Sequence, residues 1–187
     1  LTISTWRPVL REIADITNSD PAIVTTTEAH DYADGLIVRL YVLGTPMPVR
    51  IQDTYEITIL SPTTFSIPLN TTNFPIFYPP ETSAISSITN ANPMVVTVGA
   101  HNFFVGQQVI IEGVVGMTFE MDGFFSIVNG KIMHIIAITP TTISFNLDTS
   151  DYSAYVSGGS VSTIYVPQVI PVGEVARTLV MAEKNVS

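Results

Sequence analysis

Apolar and polar residues alternate along this chain in short runs that end at Pro, Gly or Asn. Val109-Ile110-Ile111-Glu112 and Phe65-Ser66-Ile67 follow a strand period more closely than a helical one. Ala22–Thr27, Gly35–Leu43, Thr54–Leu60 and Phe65–Leu69 are rich in Val, Ile, Thr and aromatics, a composition that predicts strands. A second series follows at Met94–Val98, Gln107–Glu112, Gly123–Val128, Ile132–Ile138 and Thr142–Leu147. Helix signals are sparse. Pro8 to Ala14 could form one turn or a short helix. Glu174 to Lys184 has the best helix composition, but Pro167, Pro171 and Gly173 upstream suit an extended arm, the preferred reading.

The two series are copies. Ile16-Thr17-Asn18-Ser19-Asp20-Pro21-Ala22-Ile23-Val24-Thr25 returns as Ile88-Thr89-Asn90-Ala91-Asn92-Pro93-Met94-Val95-Val96-Thr97. His30 with Tyr32 is matched by His101 with Phe103, and Gly35 by Gly106. Ser61-Pro62-Thr63-Thr64-Phe65 is echoed by Thr139-Pro140-Thr141-Thr142-Ile143. A repeat of roughly 70 residues is too long for a solenoid and suits a small all-β domain.

The predicted fold is therefore all-β, two tandem small β-barrel modules with extended terminal arms. The expected boundaries are an N-terminal arm over 1–14, module one over 15–80, a linker over 81–87, module two over 88–163 and a C-terminal arm over 164–187. The copies differ at Gly44–Arg50 against Gly113–Gly123, as expected if a shared frame carries variable loops.

Composition narrows the function. Apolar residues make up 46% of the 187 positions, enough for a core, while charged residues are only 12%, so much surface must be apolar or carry Thr, Ser and Asn. A surface of that kind suits contacts with neighbouring subunits. Seven Lys and Arg against sixteen Asp and Glu leave a net charge of −9, with no basic cluster to hold nucleic acid. No apolar run reaches membrane-spanning length, so no membrane partner is expected, and Leu1 to Arg11 lacks a signal-peptide pattern. The absence of Cys excludes disulfides and thiolate metal sites.

Ile88-Thr89-Asn90-Ala91-Asn92-Pro93, Ala100-His101, Gly106, Val109 and Gly113-Val114-Val115-Gly116-Met117 resemble a module of phage virion proteins. The likeness continues through Phe125, Thr141-Thr142, Asp148–Tyr155 and Ser157-Gly158-Gly159. Such modules are described as similar to the first catalytic cysteine half-domain of ubiquitin-activating enzyme, a small β-barrel. Thioester chemistry does not follow, because the chain has no Cys. Module one matches less closely, and the arms do not match. The resemblance implies a tailed-phage virion protein of the tail, neck or fibre-attachment region, assembled in the host cytoplasm.

The candidate chemistry is thin. His30 and His101 recur, yet no Ser or acid stands at a spacing that would make either one a catalytic base, and twin occurrence favours an imidazole bonding a loop backbone. His134 lies in the apolar run Ile132–Ile136 and reads as a strand residue. Asp148 and Asp151 lack the spacing of a calcium loop and read as an Asx turn. Asp31 with Asp34 and Glu120 with Asp122 read as loop solvation rather than a glycosidase pair. No catalytic residue, metal site or cofactor is therefore expected. The expected contacts in a homo-oligomer or with other virion proteins are Trp6, Phe74, Phe77, Tyr78, Phe119 and Tyr165. The competing expectation is a module that binds host-surface glycan or receptor through Gly44–Arg50 and Gly113–Gly123.

Overall fold

Every strand pairing among the described residues is antiparallel, and two separate barrels result. The computed structural model describes residues 9–49, 52–121 and 124–172. The chain divides into a first unit of residues 1–79 with 166–187 and a second of residues 80–165.

The first unit contains β1 (Arg11–Ile16), β2 (Ala22–Thr26), β3 (Ile37–Tyr41), β4 (Thr54–Glu56), β5 (Thr58–Ser61) and β6 (Thr64–Ile67). The second contains β7 (Thr82–Ala84), β8 (Ser87–Ile88), β9 (Met94–Thr97), β10 (Gln108–Gly116), β11 (Thr118–Met121), β12 (Phe124–Ile127), β13 (Ile132–Ile138), β14 (Thr142–Phe145) and β15 (Tyr155–Thr163). Last in the chain, β16 (Gln168–Pro171) belongs to the first unit.

In the first unit the strand order is β4-β3-β16-β1-β2-β6-β5. β4 and β5 are one run interrupted at Ile57, whose N–H donates to Leu36 O at 3.0 Å. The two ends of the order therefore meet, and the sheet is a nearly closed barrel. The second unit has the order β7-β15-β10-β13-β14-β9-β8, closed in the same way by the run that holds β7 and β8. There Ile85 N–H donates to Gly159 O at 3.0 Å and Ser86 N–H to Thr97 O at 2.9 Å.

Period-two alternation fills each barrel. Ala22, Val24, Val38, Leu40, Phe65 and Ile67 point into the first core; Met94, Val96, Val109, Ile111, Ile143 and Phe145 point into the second. A fully buried side chain of this size contributes about 1.5–3 kcal/mol. No helix occurs among the described residues.

The structure corrects the expected boundaries. Residues 11–14, expected in an arm and readable as a helical turn, begin β1, with Glu12 opposite Gln168 and Ile16 opposite Val24. β16, expected in the C-terminal arm, lies between β1 and β3 and puts Val169 into the first core. The second unit is thus an insertion within the first rather than a module that follows it. The expected linker over 81–87 holds β7 and the start of β8. The physical reason is ladder closure: without β16, the facing edges of β1 and β3 would be left unpaired. Trp6 and the segment Glu174–Lys184 lie outside the described residues.

The repeated Thr-Asn opening is explained by a partner far along each copy. Thr71 Oγ1 donates to Thr17 O at 2.6 Å and accepts from Ser19 N–H at 3.1 Å, and Thr71 N–H donates to Ser19 O at 3.0 Å. Thr149 repeats this with Thr89 O at 2.8 Å, Ala91 N–H at 3.2 Å and Ala91 O at 3.0 Å. Both threonines are fully buried. Asn18 Nδ2 donates to Thr71 O and Phe74 O at 3.0 and 2.8 Å, and Asn90 Nδ2 to Thr149 O and Tyr152 O at 3.2 and 2.7 Å. Even the flanking pair is preserved with donor and acceptor exchanged: Asn70 donates to Asp20, and Asn92 to Asp148. Both copies also carry a cis peptide bond here, at Asp20-Pro21 and Asn92-Pro93.

Replacing Thr149 by Val should cost about 2–3 kcal/mol, because Thr89 O and Ala91 N–H lose a buried partner. Thr149→Ser keeps the hydroxyl and should lose less than half as much, as read from urea denaturation midpoints.

Candidate interaction site

The recurrent histidines are engaged by backbone. His30 Nδ1 accepts from Tyr32 N–H at 3.0 Å, so Nε2 carries the proton and donates to Ser61 O at 3.0 Å. The ring is buried and stacks on Tyr32 with centroids 5.0 Å apart. His101 repeats the arrangement more loosely, with Phe103 N–H at 3.2 Å and Thr142 O at 3.4 Å. Each histidine therefore docks on its copy's Pro-Thr-Thr turn and holds the following aromatic. With both nitrogens occupied, His30 has no lone pair to offer a substrate. His134 is exposed on β13.

Asp148 closes a local turn: its Oδ1 accepts from Ser150 N–H at 3.0 Å. That bond holds its carboxyl below the ordinary carboxylate range. This is the Asx turn expected from the sequence. Among the described residues no group of three or more His, Asp or Glu is placed to hold a metal ion.

The two variable segments have different fates. In the first unit, Met47 and Val49 are buried in the barrel's own core, and Thr45 Oγ1 accepts from Tyr78 N–H at 3.1 Å. These two side chains fill the core while Pro46 and Pro48 between them are exposed; Arg50 lies outside the described residues. In the second unit, the described part of Gly113–Gly123 is not a loop. It completes β10, buries Met117 and forms β11, the first strand of a ribbon that has no counterpart among the described residues of the first unit.

Three features build this ribbon. Val109 and Ile111 face the core, but at Gly113 (φ 72°) the phase slips, so Val114 is buried and Val115 is turned outward. Gly113 faces Gly159; both hold a positive φ that favours glycine, and a Cβ on Gly159 would also crowd Val114. At Gly116 a Cβ would collide with Ala154 O, so the chain turns tightly there. Beyond it, Thr118 N–H donates to Ser153 Oγ at 3.0 Å and Ser153 N–H to Thr118 O at 2.7 Å.

The ribbon pairs Thr118 with Ile127, Phe119 with Ser126 and Glu120 with Phe125. One face meets Tyr152: Phe119 stacks on its ring at 5.7 Å, and Ser126 Oγ lies 2.8 Å from its hydroxyl. Phe125 alternates to the opposite face and is 58% exposed, while Met121 near the tip is 60% exposed. Val115 and Val156, on β10 and β15, are also exposed. A two-stranded ribbon is marginal alone, and this one leans on Tyr152 and Ser153.

The expected contact residues do not form one cluster. Phe77 is buried in the first core and Phe74 packs against it, which removes Phe77 as a free contact. The aromatic-proline segment closes its own barrel because Asn18 captures Phe74 O. Tyr78 and Tyr165 are half-buried. Phe119 is in the ribbon but spends its face on Tyr152. Met121, inside the expected contact segment Gly113–Gly123, and Phe125, absent from the expected contacts, are the more exposed side chains; two successive Phe residues in an alternating strand were the signal that one ring would face outward.

No protein-family model and no curated protein matches the chain.

His30→Phe retains a ring but loses both backbone bonds, and should cost about 1–3 kcal/mol of stability by chemical denaturation. Tyr32 supplies a pH test. Its hydroxyl donates to Val9 O at 2.7 Å, and burial pushes its pKa from 10.0 up to about 12, partly offset by Arg11. Because the folded value lies above the unfolded one, the protonated hydroxyl contributes fully below pH 10.0, and its contribution fades as pH rises toward about 12. Tyr32→Phe should show a smaller fall in denaturation midpoint across that window than the parent chain.

Proposed function

We propose that this chain is a non-enzymatic structural component of a tailed-phage virion, in the tail, neck or fibre-attachment region, and that it assembles as a symmetric homo-oligomer with other virion proteins alongside. The observation that carries the reading is the β11–β12 ribbon, added to one barrel and without a described counterpart in the other, with Phe125 and Met121 exposed on it. The turns shared by both copies are engaged with one another, so each barrel serves as a frame for the segments in which the copies differ. Low charge and the resemblance of residues 88–159 to phage virion modules support the same reading. The mechanism is geometric: the barrel fixes the ribbon's direction, and burial of its apolar side chains against a neighbour supplies the association energy.

A second reading, recognition of host-surface glycan, draws on the exposed Phe125 ring, which offers a flat apolar face to a sugar.

The chain should sediment as an oligomer, and antibodies raised against it should label the tail or neck of the particles that carry it. Phe125→Glu with Met121→Glu should give monomers with folding stability unchanged to within about 0.5 kcal/mol. A parent chain that stays monomeric and labels no particle overturns the proposal. A monomer whose glycan-array signal disappears in Phe125→Ala establishes the second reading instead.

A further inference from the structure

Just beyond β12, the chain leaving the ribbon is tied to β10 by a side chain that imitates a β-strand. Asn129 follows β12 and Val128, and its amide faces the one stretch of β10 that lacks a strand partner on that side. Asn129 Nδ2 donates to Val114 O at 2.8 Å, and Asn129 Oδ1 accepts from Val114 N–H at 2.8 Å. Gly130 N–H donates to Ile111 O at 2.7 Å. β13 pairs with β10 only through Gln108–Ile110, so these three bonds extend the ladder to Val114, beyond which the ribbon begins.

Asn129-Gly130 is also the only Asn-Gly pair in the chain. Gly has no side chain to shield its amide nitrogen, so Asn-Gly is the dipeptide most prone to deamidation. The Gly130 nitrogen attacks Asn129 Cγ, the N–H proton leaves with the side-chain nitrogen as ammonia, and a succinimide ring forms. Water then opens either ring carbonyl to leave an aspartyl or an isoaspartyl residue at this position. Both reactants are restrained in the folded unit: the Asn129 amide by two bonds to Val114, and the Gly130 N–H by Ile111 O.

We propose that Asn129 is a modification site gated by the fold: deamidation proceeds only when this clasp opens, and the resulting carboxylate releases the β12 end of the ribbon from Val114, leaving the contacts of Thr118 and Phe119 in place. A carboxylate can still accept from Val114 N–H, but its second oxygen has no hydrogen to donate and is repelled by Val114 O. The attachment of the β12 end is thereby coupled to an irreversible reaction that only opened molecules undergo.

Peptide mapping by mass spectrometry of the full chain, aged in mildly alkaline buffer with and without urea, tests the gate. Deamidation at Asn129 should run more than about tenfold slower in the folded chain, the range that local opening controls. Equal rates would overturn the gate. Asn129→Asp tests the release: hydrogen exchange should quicken at Val114 and across 124–127 while the amides of β9 and β14 keep their protection. Unchanged protection at Val114 and across 124–127 would overturn the release. If the variant loses protection throughout the second unit, the clasp is a global stability element and the specific release is wrong.

Discussion

Both barrels depend on a buried threonine hydroxyl that serves the backbone of a distant turn. Thr71 and Thr149 each donate to one carbonyl and accept from one N–H of the Thr-Asn turn that opens their own copy. Each hydroxyl is itself fully buried, and a buried polar group without partners is costly, so it is placed where the turn supplies both a carbonyl and an N–H. Asn18 and Asn90 complete the clasp by bonding the chain that follows each threonine. The start and end of each copy's strand set are thereby tied, and the neighbouring strands inherit their register: β2 on β6 and β9 on β14.

The other recurring motifs pair off in the same way. His30 meets the carbonyl just before Pro62, and His101 meets one within the matching turn. Residues that looked like chemistry because they recur are the groups that join one turn to another. What the copies do not share is above all the ribbon that follows the phase slip at Gly113.

Closure makes the two units unequal. The second finds all its strands between residues 80 and 165, whereas the first must wait for β16, which the chain reaches only after the inserted unit. Glu12 opposite Gln168 is among the longest-range pairings in the molecule, the kind that folds late because loop closure precedes its reward. An inserted unit that folds within itself is the arrangement least disruptive to that late step.

Much of the fold was legible in the sequence because strand formation is local. Alternation placed β2, β3, β6, β9, β13 and β14 to within a residue or two, and the duplication announced two barrels. The clasp was not legible, since Asn70-Thr71-Thr72 and Asp148-Thr149-Ser150 share little beyond one threonine and their role appears only against the opposing turn. Nor was the ribbon: a Gly-rich stretch reads as a loop until β15 is seen running beside it. Strand positions and their twofold occurrence follow from residue order alone, because side-chain alternation is written along the chain. That β16 belongs to the first barrel, that Phe77 faces inward and that Phe125 faces out emerges only on folding, because closing a sheet satisfies edges and buries faces between residues far apart in sequence.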